Sequence, residues 1–510
     1  MQETSQNNKR IARNTLLLYF RMILTMLVTL YTSRVVLNIL GITDFGIYNV
    51  VGGIVAMFGF LNGSMSTTTQ RYITFELGKG NFEQLNKVFN TCQLILGSLS
   101  IIIIILAETI GLWFLYNKMQ IPADRFNAAF WVFQTSILTT VIMLMSVPYN
   151  ATIIAHERMS AFAYISILEV SLKLGMVFLL LAFSIDKLIL YTFLMLGVQL
   201  SIRIIYSIYC SKNFKETKFK LVLDKNLIKE MTSFTSWNLF GNIACIAYTQ
   251  GINILLNMFF GPVVNAARGI SVQVQNAINQ FSSNFQMAIN PQITKTYATG
   301  DYTYMHKLIY RSSKFTFLLL LLISLPVMIE TQTILNIWLK KVPDYSSIFL
   351  RLMILTTIID AVANPLMIAA SSTGKVKLYQ SVIGGILLLI LPISYILLKR
   401  GGNPQSVFIV HLFICIIAFM VRLFIVRPMI HLQISSYIKE VLLKCFIVTC
   451  VAVPLPIILK YLIHDDFICL LSVCILSIIT VSTSTYFWGF DKAEKDFIIN
   501  KLNVFFKRNN

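Results

Sequence analysis

The apolar residues of this chain come in blocks about twenty residues long, and nothing else restricts its fold so much. A block of that length crosses about 30 Å of hydrocarbon as an α-helix. Each block is continuously apolar rather than alternating at every second residue, which argues against a transmembrane barrel. Charged residues are only 13% of the 510, about half the share a water-soluble domain carries. The expected fold is an all-α polytopic membrane protein with about fourteen spans, at residues 14–33, 46–68, 88–116, 127–155, 160–183, 187–210, 232–258, 264–289, 310–329, 348–370, 377–398, 405–426, 440–461 and 467–488.

Charge sets the orientation. The net charge of +20 is not gathered in one domain or interleaved with exposed aromatics, so nucleic acid is not an expected partner. The basic residues sit in short clusters between apolar blocks, where they act as topology signals and touch anionic membrane lipids. With the N-terminus inside, both ends and the even-numbered loops outweigh the odd-numbered loops by about three to one in Lys and Arg. Both termini are therefore expected in the cytoplasm. The segment SKNFKETKFKLVLDKNLIKE alone carries six lysines.

That segment also falls where two halves would join. At an offset of about 220 residues Gly41 matches Gly261, Gly80 matches Gly300, and Arg203 corresponds to Arg422. Pro148 precedes Arg158 by the same interval that separates Pro365 from Lys375. Six helices per half make this a parallel repeat. The expected organisation is a six-helix lobe at 1–210, a basic cytoplasmic loop at 211–231 and a second six-helix lobe at 232–426. Helices thirteen and fourteen follow at 427–488, then an amphipathic cytoplasmic tail at 489–510.

Enzyme chemistry finds little footing. There is no GxxxxGK[ST], no HExxH, and no Cys or His cluster at metal-ligand spacing. The eight cysteines fall in or beside apolar blocks, as small hydrophobes do. No catalytic residue, metal or cofactor is expected. A glycan polymerase or glycosyltransferase usually needs a sizeable extramembrane loop, and none is present.

The informative residues are charges inside the spans, each costing roughly 2.5–3.5 kcal/mol at a helix centre. Arg21 lies in the first helix, Arg203 in the sixth and Arg268 in the eighth; Arg203 has snorkelling to the headgroups as its alternative. Guanidinium groups suit phosphate because they stay charged and bind two oxygens at once. Glu169 and Lys173 share a face of the fifth helix, as a structural ion pair or a coupling site. Asp360, in the tenth, is a candidate H+ or Na+ site or a partner for an arginine; Glu108 is similar. Helix eight carries Gln273, Asn276, Gln280 and Asn284 among other amides, a lining suited to sugar hydroxyls, with interhelical hydrogen bonding as the alternative.

The stretch YTSRVVLNILGITDFGIYNVVGGIVAMFGFLNGSMSTTTQRYITFELGKGN, residues 31–81, resembles polysaccharide and O-antigen flippases of the Wzx type, within the multidrug/oligosaccharidyl-lipid/polysaccharide (MOP) exporter superfamily. GPVVNAARGI and the fourteen-helix layout extend the likeness along the chain. The resemblance implies two six-helix lobes around a central cavity in a bacterial inner membrane. It implies an undecaprenyl-diphosphate-linked oligosaccharide as cargo, flipped by alternating access for surface polysaccharide or lipopolysaccharide synthesis. A glycan polymerase or glycosyltransferases would be its neighbours. In related flippases arginines of the first and eighth helices hold the diphosphate, which points to Arg21 and Arg268. The drug-exporting branch often uses buried acids in its N-terminal lobe. The first helix here carries Arg21 and no acid, although ion-coupled multidrug export is the rival reading.

Overall fold

The computed structural model describes residues 2–496 except 57, 58, 118, 120, 184, 219, 221–223, 340, 341, 464 and 493. Side chains of 2–13 and of some residues between 30 and 60 are not described, and most of the expected tail lies outside the described residues. Helices run as α1 Gln2–Ala56, α2 Gly59–Lys79, α3 Phe82–Asn117, α4 Ala123–Ala155, α5 Met159–Ala182, α6 Lys187–Asn213 and α7 Lys225–Phe260. They continue as α8 Pro262–Ala298, α9 Tyr302–Ile329, α10 Ser346–Ser372, α11 Lys377–Lys399, α12 Ser406–Ile430, α13 Ile434–Leu462 and α14 Asp466–Gly489. No strand occurs among the described residues.

Eleven of these helices, α3–α7 and α9–α14, are long and apolar enough to cross a membrane. The other spans follow from two local features. A left-handed Gly41 breaks α1 into two helices. The 37-residue α8 has the length, but its amides lower its hydropathy. The fold is thus an all-α bundle of about fourteen spans.

The repeat is written in the backbone. Gly41 and Gly261 have φ of 74° and 77°, and Gly80 and Gly300 have 69° and 76°. Each turn needs a left-handed residue, which glycine supplies without a Cβ penalty. Prolines punctuate the helices too. Pro392 cannot donate to Leu388, and α11 breaks there into Lys377–Leu388 and Ile390–Lys399. Asp186 caps α6 by accepting from Leu188 N at 3.0 Å and Ile189 N at 3.1 Å, and Asp465 caps α14 in the same way.

The chain forms two compact units. Among the described residues, the first holds those of 2–243, 287–301 and 374–377; the second holds those of 244–286, 302–373 and 378–496. In the first, a core around Phe133, Val132, Leu180 and Leu188 packs α1, α4, α5 and α6 together. In the second, the Phe349 ring packs tilted against Phe408 at 4.3 Å, in a core with Tyr248, Ile252 and Ile390. Close van der Waals packing rather than water exclusion holds such interfaces in a bilayer.

At the basic end of the first unit, two turns related by the repeat dock on two related helices. Glu157, in the α4–α5 turn, has φ 58°; Gly374, in the α10–α11 turn, has φ 79°. Glu157 reaches the end of α8, where Lys295 Nζ lies 2.7 Å and Gln292 Nε2 2.5 Å from its carboxylate. Gly374 approaches α2 so closely that a Cβ there would stand 2.8 Å from Arg71 Nη2. Between the two contacts α2 crosses α8: a Cβ on Gly78 would meet Ala298 Cβ at 2.8 Å. At the opposite end of the unit, Arg125 ties Asp44 after the α1 break to Asp186 before α6. In the second unit Lys314 is buried against Glu494, 2.8 Å away. That contact ties the first tail residues to α9.

Candidate functional site

In the first unit, α1, α5 and α6 bring several expected residues together. Arg21 donates from Nη1 to Ser166 Oγ at 3.5 Å and lies over the Phe162 ring at 4.7 Å. One turn along α5, Glu169 accepts from Lys173 Nζ at 2.6 Å and from Gln199 Nε2 of α6 at 3.2 Å. Tyr206 stands between, its hydroxyl against Ser166 and within electrostatic range of both Arg21 and Glu169. Glu169 and Lys173 are thus paired with each other, and Glu169 is also cross-linked to α6. Arg203, one turn from Tyr206, covers the Tyr149 ring at 4.1 Å, and its Nη1 is buried without a hydrogen bond. Glu108 accepts from Gln134 Nε2 at 3.3 Å.

In the second unit α8 has two faces at helical period. Ala267, Ser271, Ile278, Ser282 and Gln286 are buried. On this side Gln275 donates to Thr357 Oγ1 at 2.8 Å and Gln286 to the Ala361 carbonyl at 2.8 Å, so these amides join α8 to α10. Gln273, Asn276, Asn279, Gln280 and Ser283 are exposed. An exposed row of amides cannot face hydrocarbon without stranding donors and acceptors, so this face lines water. Asn284, grouped with them from sequence, departs: it is buried and donates to the Gln280 carbonyl at 2.7 Å. Its phase on the helix is that of Gln280, one turn earlier, so its burial comes from the packing around it and not from its place in the helical period.

Arg268 sits just before that row. Its Nη2 donates to the Thr249 carbonyl at 2.8 Å, while Nε is buried without a hydrogen bond. Beside it on α12 is His411, whose ring lies 5.1 Å from Tyr248. Asp360 pairs with Arg422 Nη1 at 3.6 Å. Asp360 is half-exposed and Arg422 nearly buried. Arg21, Arg203, Glu169 and Lys173 therefore belong to the first unit, and Arg268, Asp360 and the amide row to the second. No group of three or more His, Cys, Asp or Glu able to hold a metal stands among the described residues.

Sequence reasoning missed Arg71, Glu157 and His411. Arg71 is 8% exposed and caged by Tyr72 at 4.4 Å, Phe75 at 4.8 Å and Phe234 at 5.6 Å. Glu157 is 4% exposed. Both lie near helix ends, where a charge reads as solvated. Phe234 and Gly374, which close over Arg71, and Lys295 and Gln292, which meet Glu157, are over a hundred residues away in the chain.

No family model matches the chain, and no curated protein sequence matches it. Solved structures do match its fold. An outward-facing multidrug resistance MATE family transporter of the MOP superfamily superposes with a TM-score of 0.71 at 12% identity, over 83% of this chain and 96% of that one. The MATE transporter ClbM in complex with Rb+ gives 0.68 at 12% identity, over 85% and 97%. A MOP superfamily transporter from Pyrococcus furiosus, described as having a binding pocket of reversed polarity, gives 0.68 at 12% identity, over 84% and 96%. The chain thus has the multi-pass fold of MATE transporters. At these identities the likeness establishes the fold alone.

Proposed function

We propose that the chain is a flippase that carries an undecaprenyl-diphosphate-linked oligosaccharide from the cytoplasmic to the periplasmic leaflet of a bacterial inner membrane, by alternating access. The observation that carries the reading is the exposed amide row of α8, Gln273, Asn276 and Gln280, with Arg268 beside it. Amides exchange hydrogen bonds with sugar hydroxyls at little cost, and a guanidinium supplies paired donors for a phosphate. Arg21 and Arg203 add fixed positive charge in the first unit, and aromatic rings partly desolvate both. A cationic drug would meet like charge at these positions. The reversed pocket polarity described for the Pyrococcus furiosus transporter shows that pocket polarity varies within this fold.

In this reading each unit by itself offers an arginine suited to a diphosphate, Arg21 in the first and Arg268 in the second, and the glycan runs along the amide row. Asp360, paired with Arg422, is the group through which H+ or Na+ would couple, and the Glu169–Lys173 pair holds the wall beside Arg21. The test is complementation of a deletion strain with Arg21→Ala and Arg268→Ala. The reading expects normal amounts of membrane-inserted protein with surface glycan lost. Normal glycan from both variants, with drug sensitivity in the deletion strain, would favour ion-coupled multidrug export instead.

A further inference from the structure

Away from these surfaces, the first unit holds a cavity of about 390 Å3 between the first turns of α7 and the α10–α11 turn. Lys229, Ser233 and Trp237 line it from α7, and Gly374, Lys375 and Lys377 from the turn. The three α7 residues are spaced four apart and share one helix face. Eight residues of helical rise set Trp237 about 12 Å further along the helix than Lys229. Lys377 Nζ lies 5.3 Å over the Trp237 ring. The cavity therefore grades from ammonium groups at its mouth to an indole beneath them.

The described lining carries three lysines and one acid. Glu230, the one acid of the described lining, accepts from Tyr72 Oη at 3.0 Å and faces the Arg71 charge. Arg71 lies directly behind Gly374, in van der Waals range of that backbone, and adds a second layer of positive charge. The lysines are exposed, and the charge count assigns this end of the helices to the cytoplasm.

We propose that this cavity binds the phosphate headgroup of an anionic membrane lipid. Lys229, Lys375 and Lys377 hold the phosphate oxygens, and Trp237 packs against the first carbons beneath the headgroup. Ammonium groups over an interfacial ring match the order of groups in a phospholipid, charge outward and hydrocarbon inward. The site is separate from the α8 row and stands whatever the cargo is. Two lipids share the required chemistry, a bulk anionic phospholipid and a polyprenyl diphosphate.

The experiment is native mass spectrometry of the purified full chain with added phosphatidylglycerol, zwitterionic phosphatidylcholine or undecaprenyl diphosphate. The wild type should retain the anionic lipids in preference to phosphatidylcholine. The triple variant Lys229→Gln, Lys375→Gln, Lys377→Gln should lose at least about tenfold in occupancy, and Lys87→Gln, at a surface lysine outside the cavity lining, should lose none. All three lysines are exposed, so the fold tolerates their neutralisation; Lys229→Glu alone should act in the same direction. Lysine-dependent retention of both anionic lipids identifies a general phosphate site, and of undecaprenyl diphosphate alone a docking site for a polyprenyl lipid. Equal retention by wild type and variants, or no preference over phosphatidylcholine, overturns the proposal.

Discussion

Arginine and glutamate at buried or half-buried positions set the residue-level expectations. Arg268 spends one nitrogen on the Thr249 carbonyl and keeps Nε unbonded. A charge-assisted hydrogen bond contributes roughly 1.5–3 kcal/mol. Arg268→Ala should therefore slow flipping by about tenfold or more, and Arg268→Lys should recover only part of it, because lysine cannot bind two oxygens in a fork. Initial flipping rates in proteoliposomes check this. Full recovery by lysine would mean that charge alone matters. Glu157 tests stability instead. Its carboxylate is buried against Lys295 and Gln292, and removing one partner of a buried pair costs about 3–5 kcal/mol. Glu157→Ala should lower the detergent melting temperature markedly, while Lys87→Ala, in a surface pair with Glu83, should leave it nearly unchanged.

At the scale of elements, the crossing of α2 over α8 depends on one hydrogen atom. Any side chain at Gly78 would overlap Ala298 Cβ at 2.8 Å and the Lys295 carbonyl at 3.0 Å. Gly78→Val should cut the yield of folded protein sharply, whereas Gly97→Ala, which meets nothing within 4 Å, should be tolerated; fluorescence-detected size exclusion distinguishes the two. The Arg125 clasp carries a pH dependence. Burial pushes the Asp186 carboxyl up, but the Arg125 guanidinium and two backbone N–H groups outweigh it, and the net result is below the usual range. A carboxyl whose folded pKa is depressed stabilises fully above its unfolded value, about 3.9, and loses that contribution as pH falls through the folded one. The clasp should hold from neutral pH to about 5 and loosen only in stronger acid. Melting curves against pH should show a smaller acid loss for Asp186→Asn than for the wild type. The glycine turns were readable in sequence because a left-handed backbone is a local demand. The division of α8 was not: Gln275 and Gln286 differ from Gln273 and Gln280 only in phase, and which phase faces α10 depends on residues about eighty positions away.

For the whole molecule, the spans were the most legible property, since hydrocarbon thickness dictates the length of each block. Break positions and the parallel repeat could be read from glycine and proline placement. The charges expected inside the membrane divide between the units, with Arg21, Arg203, Glu169 and Lys173 in one and Arg268 and Asp360 in the other. Composition could not foresee the partners, such as Arg422 for Asp360 and Lys295 for Glu157, because pairing depends on helix rotation. The central claim concerns cargo. Its most direct test is deletion of the gene followed by mass spectrometry of lipid-linked glycans, with their sidedness read in spheroplasts. The account predicts a diphosphate-linked oligosaccharide accumulating on the cytoplasmic leaflet and loss of surface polysaccharide, both reversed by the wild type but not by Arg268→Ala. An unchanged lipid pool with intact surface glycan, in a strain with no second flippase, would contradict it.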